Sequence, residues 1–167
     1  MTEFSRLVEE QIPPLRRYAR ALRRSNVAAA DDLVQDTLLR AIAKQHLWEP
    51  GTNLRAWLFT LMHNQHVNDV RRSSREALLD VDDFHNTMRA SSDPSASLLL
   101  RDLERGLAGL ALEQREVILL VGLEGLSYEE AAIVLGVPIG TVRSRLSRGR
   151  DALRLTMDLG TALDRAA

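Results

Sequence analysis

The stretch LSYEEAAIVLGVPIGTVRSRLSRGRDALR, residues 126–154, leaves this chain few ways to fold. Ser127 and Glu130 stand at the spacing with which a hydroxyl and a carboxylate reciprocally cap a helix start. Gly136 can take the left-handed conformation that ends that helix, and Pro138 sits where another begins. Two short helices joined by a tight glycine-containing turn make a helix-turn-helix. At about 100° per residue, Val142, Leu146, Gly149 and Leu153 form one narrow stripe that must face a core. Arg143, Ser144, Ser147, Arg148, Arg150 and Arg154 take the opposite arc. Arginine reads guanine edges bidentately, and both residue types bond phosphate oxygens, so this face suits DNA. The plainer alternative is a solvated basic face, against which the capped partner helix weighs. The segment EQREVILLVGL, 113–123, supplies the apolar support that a two-helix unit needs.

Composition extends the helical expectation to the whole chain. Hydrophobic residues make up 45% but aromatics only 4%, so a core must be built from Leu, Ala, Val and Ile. Leu and Ala fit helices cheaply, strand formers are scarce, and no window sustains period-2 alternation; an all-α protein is expected. Lys plus Arg is 22 against 23 Asp plus Glu, a formal charge of −1. That excludes a coat of positive charge but not DNA binding, which depends on where charge sits. With no cysteine, a disulfide framework and a Cys-based zinc site are excluded. His63 and His66 share a helical face but have no third ligand nearby, so no metal site is expected. No apolar run approaches the roughly 20 residues that span a bilayer, and Glu3 and Glu9 do not suit a signal peptide; a cytoplasmic protein is expected. No Gly-rich phosphate loop, nucleophile motif or ligand cluster points to an enzyme.

Periodicity divides the chain into two small helical domains, 1–72 and 95–155, with a linker over 73–94 and a short tail over 156–167 that frays. The linker SSREALLDVDDFHNTMRASSDPSAS is rich in Ser and Asp and buries little apolar surface. In the first domain, Pro13 and Pro14 are expected to break a short leading helix, with Pro14 opening the next, through Arg24. A second helix covers 28–45; Pro50 and Gly51 then turn the chain, and Thr52 caps a third through Arg72. The second domain reads as helices near 97–108, 113–123, 128–135 and 139–153.

Two faces of the first domain carry chemistry. Leu33, Val34, Thr37, Leu38, Ala41 and Ile42 make the inner side of the second helix, leaving Asp32, Gln35, Asp36 and Leu39 outside. An acidic and amide face with one stranded leucine fits a protein partner, because carboxylates repel phosphate; a plain solvated face fits equally well. The third helix mixes Trp57, Phe59, Asn64, Gln65, His66, Asn68, Arg71 and Arg72, with Trp48 just before it. Aromatics, amides and arginines are what single-stranded DNA recognition uses. Trp57, Leu58 and Leu61 at helical spacing also fit a core, and Asn64 also fits a helix cap. Composition leaves both readings open.

Across nearly the whole chain these segments resemble the extracytoplasmic-function (ECF) sigma factors, group IV of the sigma-70 family. DDLVQDTLLRAI is similar to the family's region 2.2, NLRAWLFTLMHNQHVNDVRR to regions 2.3 and 2.4, and GLSYEEAAIVLGVPIGTVRSRLSRGRDAL to region 4.2. The resemblance implies a sigma region 2 bundle and a region 4 helix-turn-helix that bind core RNA polymerase and promoter DNA and direct transcription initiation. It implies that Asp32, Gln35, Asp36 and Leu39 dock on the polymerase clamp helices. Asn64, His66 and Asn68 would capture a flipped base of the −10 element, with Arg71 and Arg72 on nearby phosphates. Thr141, Arg143, Ser144, Ser147 and Arg148 would contact the −35 element, Ser147 standing where relatives place an aromatic. Asp80, Asp82 and Asp83 in the linker would mimic nucleic acid near the RNA exit path, or form a merely solvated acidic run. An anti-sigma partner is implied; a cofactor and a small-molecule substrate are not. Two other readings are a sigma-like decoy that binds an anti-sigma protein without touching DNA, and a dimeric repressor. The decoy would not need the arginine face or Asn64, and the repressor would not need the acidic Leu39 face.

Overall fold

The computed structural model describes residues 1–23, 26–77 and 94–166, and among them it contains helices and turns but no strand. The first unit is a three-helix packing of α1 (Glu3–Leu22), α2 (Val27–Ala43) and α3 (Leu54–Ala77). Side-chain caps start all three. Thr2 Oγ1 accepts from Ser5 N, Asn26 Oδ1 from Ala29 N, and Asn53 Oδ1 from Ala56 N. The cap of α3 is therefore Asn53, not Thr52. The Thr52 hydroxyl instead donates to Glu49 O, tightening the turn in which Gly51 takes φ +85°.

Pro13 and Pro14 do not break α1; the helix runs straight through both. Each removes a backbone donor, and an interior proline costs roughly 3 kcal/mol. The residues beyond explain why the helix continues. Leu15, Tyr18 and Leu22 are at most 2% exposed and share one face with Val8 only if the helix is unbroken. Burying each such side chain contributes about 1.5–3 kcal/mol, and together they are of the size needed to offset the roughly 6 kcal/mol of two interior prolines. Tyr18 meets Phe59 of α3 edge to face, ring centroids 5.2 Å apart. Leu58, Phe59 and Met62 are fully buried, and the buried Thr37 hydroxyl donates to Leu33 O at 2.7 Å.

The second unit comprises α4 (Pro94–Gly109), α5 (Leu112–Ile118), α6 (Tyr128–Leu135) and α7 (Ile139–Ala166), with α4 and α5 both packed on α7. The expected helix over 113–123 changes pitch at its end. Residues Leu119–Leu123 form a wider π-type turn, closed by Glu124 N donating to Leu119 O, and Gly125 at φ +67° redirects the chain. Arg115 is 8% exposed, and its guanidinium donates to Leu107 O, Ala108 O and Leu110 O at 2.7–3.1 Å. One buried arginine thus satisfies the carbonyls that the end of α4 leaves open.

The expected linker, 73–94, falls mostly outside the described residues. Of its ends, 73–77 form the last turn of α3 and Pro94 opens α4. The tail expected to fray is instead helical, because α7 continues to Ala166. Leu, Ala, Met and Arg favour helix there and no proline interrupts; Gly160 opposes it most, at about 1 kcal/mol.

Candidate functional site

The helix-turn-helix is assembled by local chemistry. Ser127 N donates to Glu130 Oε2 at 2.7 Å while Glu130 N donates to Ser127 Oγ at 3.1 Å, so each residue caps the other. At the other end of α6, Gly136 takes φ +64°. Val137 N reaches Ala132 O at 3.1 Å and Gly136 N reaches Ile133 O at 3.3 Å. This paired closure satisfies the last carbonyls of α6. The Pro138 carbonyl then accepts from Thr141 N and Val142 N and starts α7.

The back of α7 is seated by small residues. Val142 and Leu146 are buried, and a Cβ on Gly149 would lie 2.8 Å from the Ile118 Cδ1 and 3.3 Å from Gln114 Cβ of α5. One on Gly106 of α4 would collide with the Leu153 side chain. Both neighbours therefore approach α7 closely where a side chain is missing. Its front carries the expected set. Arg143, Ser147 and Arg148 are exposed, as are Arg150 and Arg154, while Thr141 and Ser144 are half-buried. Ser144 Oγ donates to Thr141 O, and Arg148 folds back on Ser144, with Nε 3.3 Å from its carbonyl and Nη2 3.2 Å from its hydroxyl. These exposed contacts are weak enough to exchange for a ligand.

On α3, Asn64, Asn68, Arg71 and Arg72 are exposed and fall within about one quarter to one third of the helix circumference. Arg75 lies on the same arc and is exposed. Sequence reasoning missed Arg75 because it ended the helix at 72, although the i+4 step from Arg71 marks it. Asn64 lies well inside α3 and so caps nothing. His66 is a correction. It is only 3% exposed, continuing the buried row of Phe59 and Met62 at helical spacing, and it cannot face DNA directly. Gln65 is 7% exposed on the same inner side. Its amide donates to Asp69 Oδ1 at 2.8 Å, and Arg23 at the end of α1 donates to Asp69 Oδ2 at 2.7 Å. The aromatics divide: Phe59 is core, whereas Trp57 and Trp48 are half-buried and both face Phe4, at centroid distances of 6.3 and 5.5 Å.

On α2, Asp32, Gln35 and Asp36 are exposed, and Leu39 is 64% exposed. Ile42, expected inside, is 57% exposed, turned round the helix from the buried Thr37 and Ala41. It lies beside Leu39 and doubles the apolar part of this face. Among the described residues, no group of three or more His, Asp or Glu is placed to hold a metal ion, and no helix is long and apolar enough to cross a membrane.

Residues 8–63 match the family model described as the Sigma2 domain of PhyR, and residues 100–153 match Sigma-70, region 4. Over 153 residues the chain is 39% identical to the ECF RNA polymerase sigma factor EcfG of Rhodopseudomonas palustris, covering 92% of this chain and 84% of that protein. The chain belongs to the ECF RNA polymerase sigma factors. SigC of Mycobacterium tuberculosis, another ECF RNA polymerase sigma factor, is 39% identical over 139 residues, 77% of this chain and 70% of that one. Among solved structures, the sigma factor RpoE of Bartonella quintana, in complex with the anti-sigma factor NepR, superimposes with a TM-score of 0.84 at 39% identity. That match covers 95% of this sigma factor and 98% of the other chain. The region 4 match thus runs from Leu100 within α4, through α5 and α6, to Leu153 of α7, and takes in the arginine face as far as Arg150.

Proposed function

We propose that this ECF sigma factor engages core RNA polymerase and both promoter elements through three separate faces. The observation that carries the reading is the segregation of charge by helix. The outward face of α2 is mainly acidic, amide and apolar, with Arg40 at its edge, whereas those of α3 and α7 are mainly amide or hydroxyl plus arginine, the one acid on the α7 arc, Asp151, being paired with Arg154. Carboxylates repel a phosphate backbone, so α2 suits a protein, and α3 and α7 suit DNA. Asp32, Gln35, Asp36 and Leu39, extended by Ile42, take the polymerase. Asn64 and Asn68 present amides to unstacked bases of the −10 element, with Arg71 and Arg72 on its phosphates. Thr141, Arg143, Ser144, Ser147 and Arg148 meet the −35 element in the major groove. Catalysis belongs to the polymerase, and the protein works in the cytoplasm beside it. The likeness to a sigma factor solved with NepR supports control by an anti-sigma protein.

The experiment is transcription by purified core polymerase plus this protein on fragmented genomic DNA, with RNA 5′ ends sequenced. Starts sharing two upstream motifs at fixed spacing are expected. Asp36→Arg is expected to abolish binding to core and all such starts while leaving the circular dichroism and melting temperature unchanged. If Asp36→Arg transcribes normally, the α2 assignment is wrong.

The decoy reading has one observation in its favour, the match of 8–63 to the Sigma2 domain of PhyR. Against it stand the arginine face of α7 and the 39% identity to EcfG over 92% of the chain. A decoy gives no protein-dependent starts and no binding to core.

A further inference from the structure

Asp69 lies on the inner side of α3, one turn beyond the buried Gln65 and outside the arc of Asn64, Asn68, Arg71 and Arg72, yet one of its contacts reaches that arc. One oxygen is 2.7 Å from Arg23 Nη2 at the end of α1, and the other accepts from Gln65 Nε2 at 2.8 Å and lies 3.4 Å from Arg72 Nη2. The Asp69 and Arg23 side chains are 17% and 18% exposed, whereas Arg72 is 71% exposed. Asp69 is thus anchored from two sides by partly buried groups, and its remaining contact points at an arginine in solvent.

We infer that Asp69 is a positioning residue that aims Arg72 at the −10 backbone, acting through Arg72 and not touching DNA itself. This rests on the assignment of Arg72 to phosphate proposed above. The charges support it. Arg23 pairs the carboxylate within the fold, so adding Arg72 leaves the cluster of one acid and two arginines net positive toward the strand. The contact to Arg72 adds little to stability, since exposed pairs of this kind contribute little. Its value lies in geometry. A guanidinium held by one edge has fewer rotamers to lose on meeting a phosphate and keeps its other donors free.

The test uses full-length protein with core polymerase on a fork promoter whose −10 non-template strand is single-stranded, measuring Kd against salt concentration. Arg72→Ala is expected to lower the slope of log K on log salt by about 0.7, one single-strand phosphate contact. Asp69→Asn is expected to lower it equally, weakening binding about 3–10-fold near 0.15 M salt, and the double variant is expected to lose no more than either single. Asp69→Glu, which keeps the carboxylate, is expected to recover most of the slope. Arg23→Ala removes one of the two anchors but leaves the Asp69 carboxylate beside Arg72, and is expected to lower the slope by less than Asp69→Asn does; equal losses would point to general structural support and overturn the inference. Melting is followed for each variant, and Asp69→Ser replaces Asp69→Asn if the latter unfolds below assay temperature. Three further outcomes overturn the inference: tighter binding by Asp69→Asn, a wild-type slope for Asp69→Asn where Arg72→Ala lowers it, or losses that multiply in the double variant. A wild-type slope for Arg72→Ala itself removes the phosphate assignment, and the inference with it.

Discussion

The two helices proposed to present arginine to DNA are built on different plans. α3 (Leu54–Ala77) belongs to a core with aromatic contacts, Tyr18 against Phe59, and its outward stripe runs from two amides to three arginines, with an acid anchored from α1 on the inner side beneath it. α7 (Ile139–Ala166) sits in a unit whose buried core is aliphatic, is seated through glycines, and shows arginines with hydroxyls. Amides bond the edges of unpaired bases, and half-buried tryptophans near the stripe offer flat apolar surface. Arginine and serine on a closely seated helix suit the fixed edges of an intact major groove. The difference suggests that one residue type, arginine, can serve two tasks, opening a duplex and reading one, with the neighbours deciding which.

The comparison breaks most readily at the seat of α7. Gly149→Ala asks the Ile118 methyl to swing away and Gln114 to give by a few tenths of an ångström, whereas Gly149→Leu overpacks outright against Ile118 and Gln114. It is expected to destabilise the second unit by about 1–3 kcal/mol and to remove −35 duplex binding, with capture of a single-stranded −10 oligonucleotide unchanged. Paired denaturation and binding measurements check it, and equal losses in both assays would sink the separation. Arg148→Ala is expected to weaken duplex binding by about 1–3 kcal/mol and to relax one −35 position, read from a library of promoter variants. Asn64→Ala is expected to spare closed duplex binding and to slow opening about tenfold, the equivalent of about 1.4 kcal/mol, followed by permanganate reactivity of the −10 thymines. Equal loss of closed binding would mean that α3 reads duplex, as α7 does. The smallest effect belongs to Arg75→Ala, which is expected to lower the salt slope on single-stranded DNA by about 0.7 with no change in base preference.

What could be read beforehand follows the range of the interactions. The capping pair Ser127–Glu130, the left-handed Gly136 and the buried stripe of α7 are set within a few residues of chain, so the helix-turn-helix was legible in detail. The run of α1 through Pro13 and Pro14 was not, because only packing of Leu15, Tyr18 and Leu22 against other helices outweighs the local penalty. His66 failed for a related reason. Its type suits DNA, but its register continues the row of Phe59 and Met62, and the row a core claims depends on neighbouring helices. Ile42 was misplaced in the opposite direction. Arg115 left no local trace at all, since the carbonyls it bonds lie 5–8 residues back, at the end of α4 and in the turn that follows it.

The glycines at 106 and 149 set a limit on how this protein can diversify. A helix gripped closely on two sides has little freedom to roll about its axis, because Leu153 and Ile118 already fill the space those glycines leave and rolling would drive them against the side chains that flank it. New promoter preferences would then arise by exchanging the side chains at 143, 144, 147 and 148, one base step at a time, and not by re-aiming the helix. Such a reader can be re-lettered without being re-engineered.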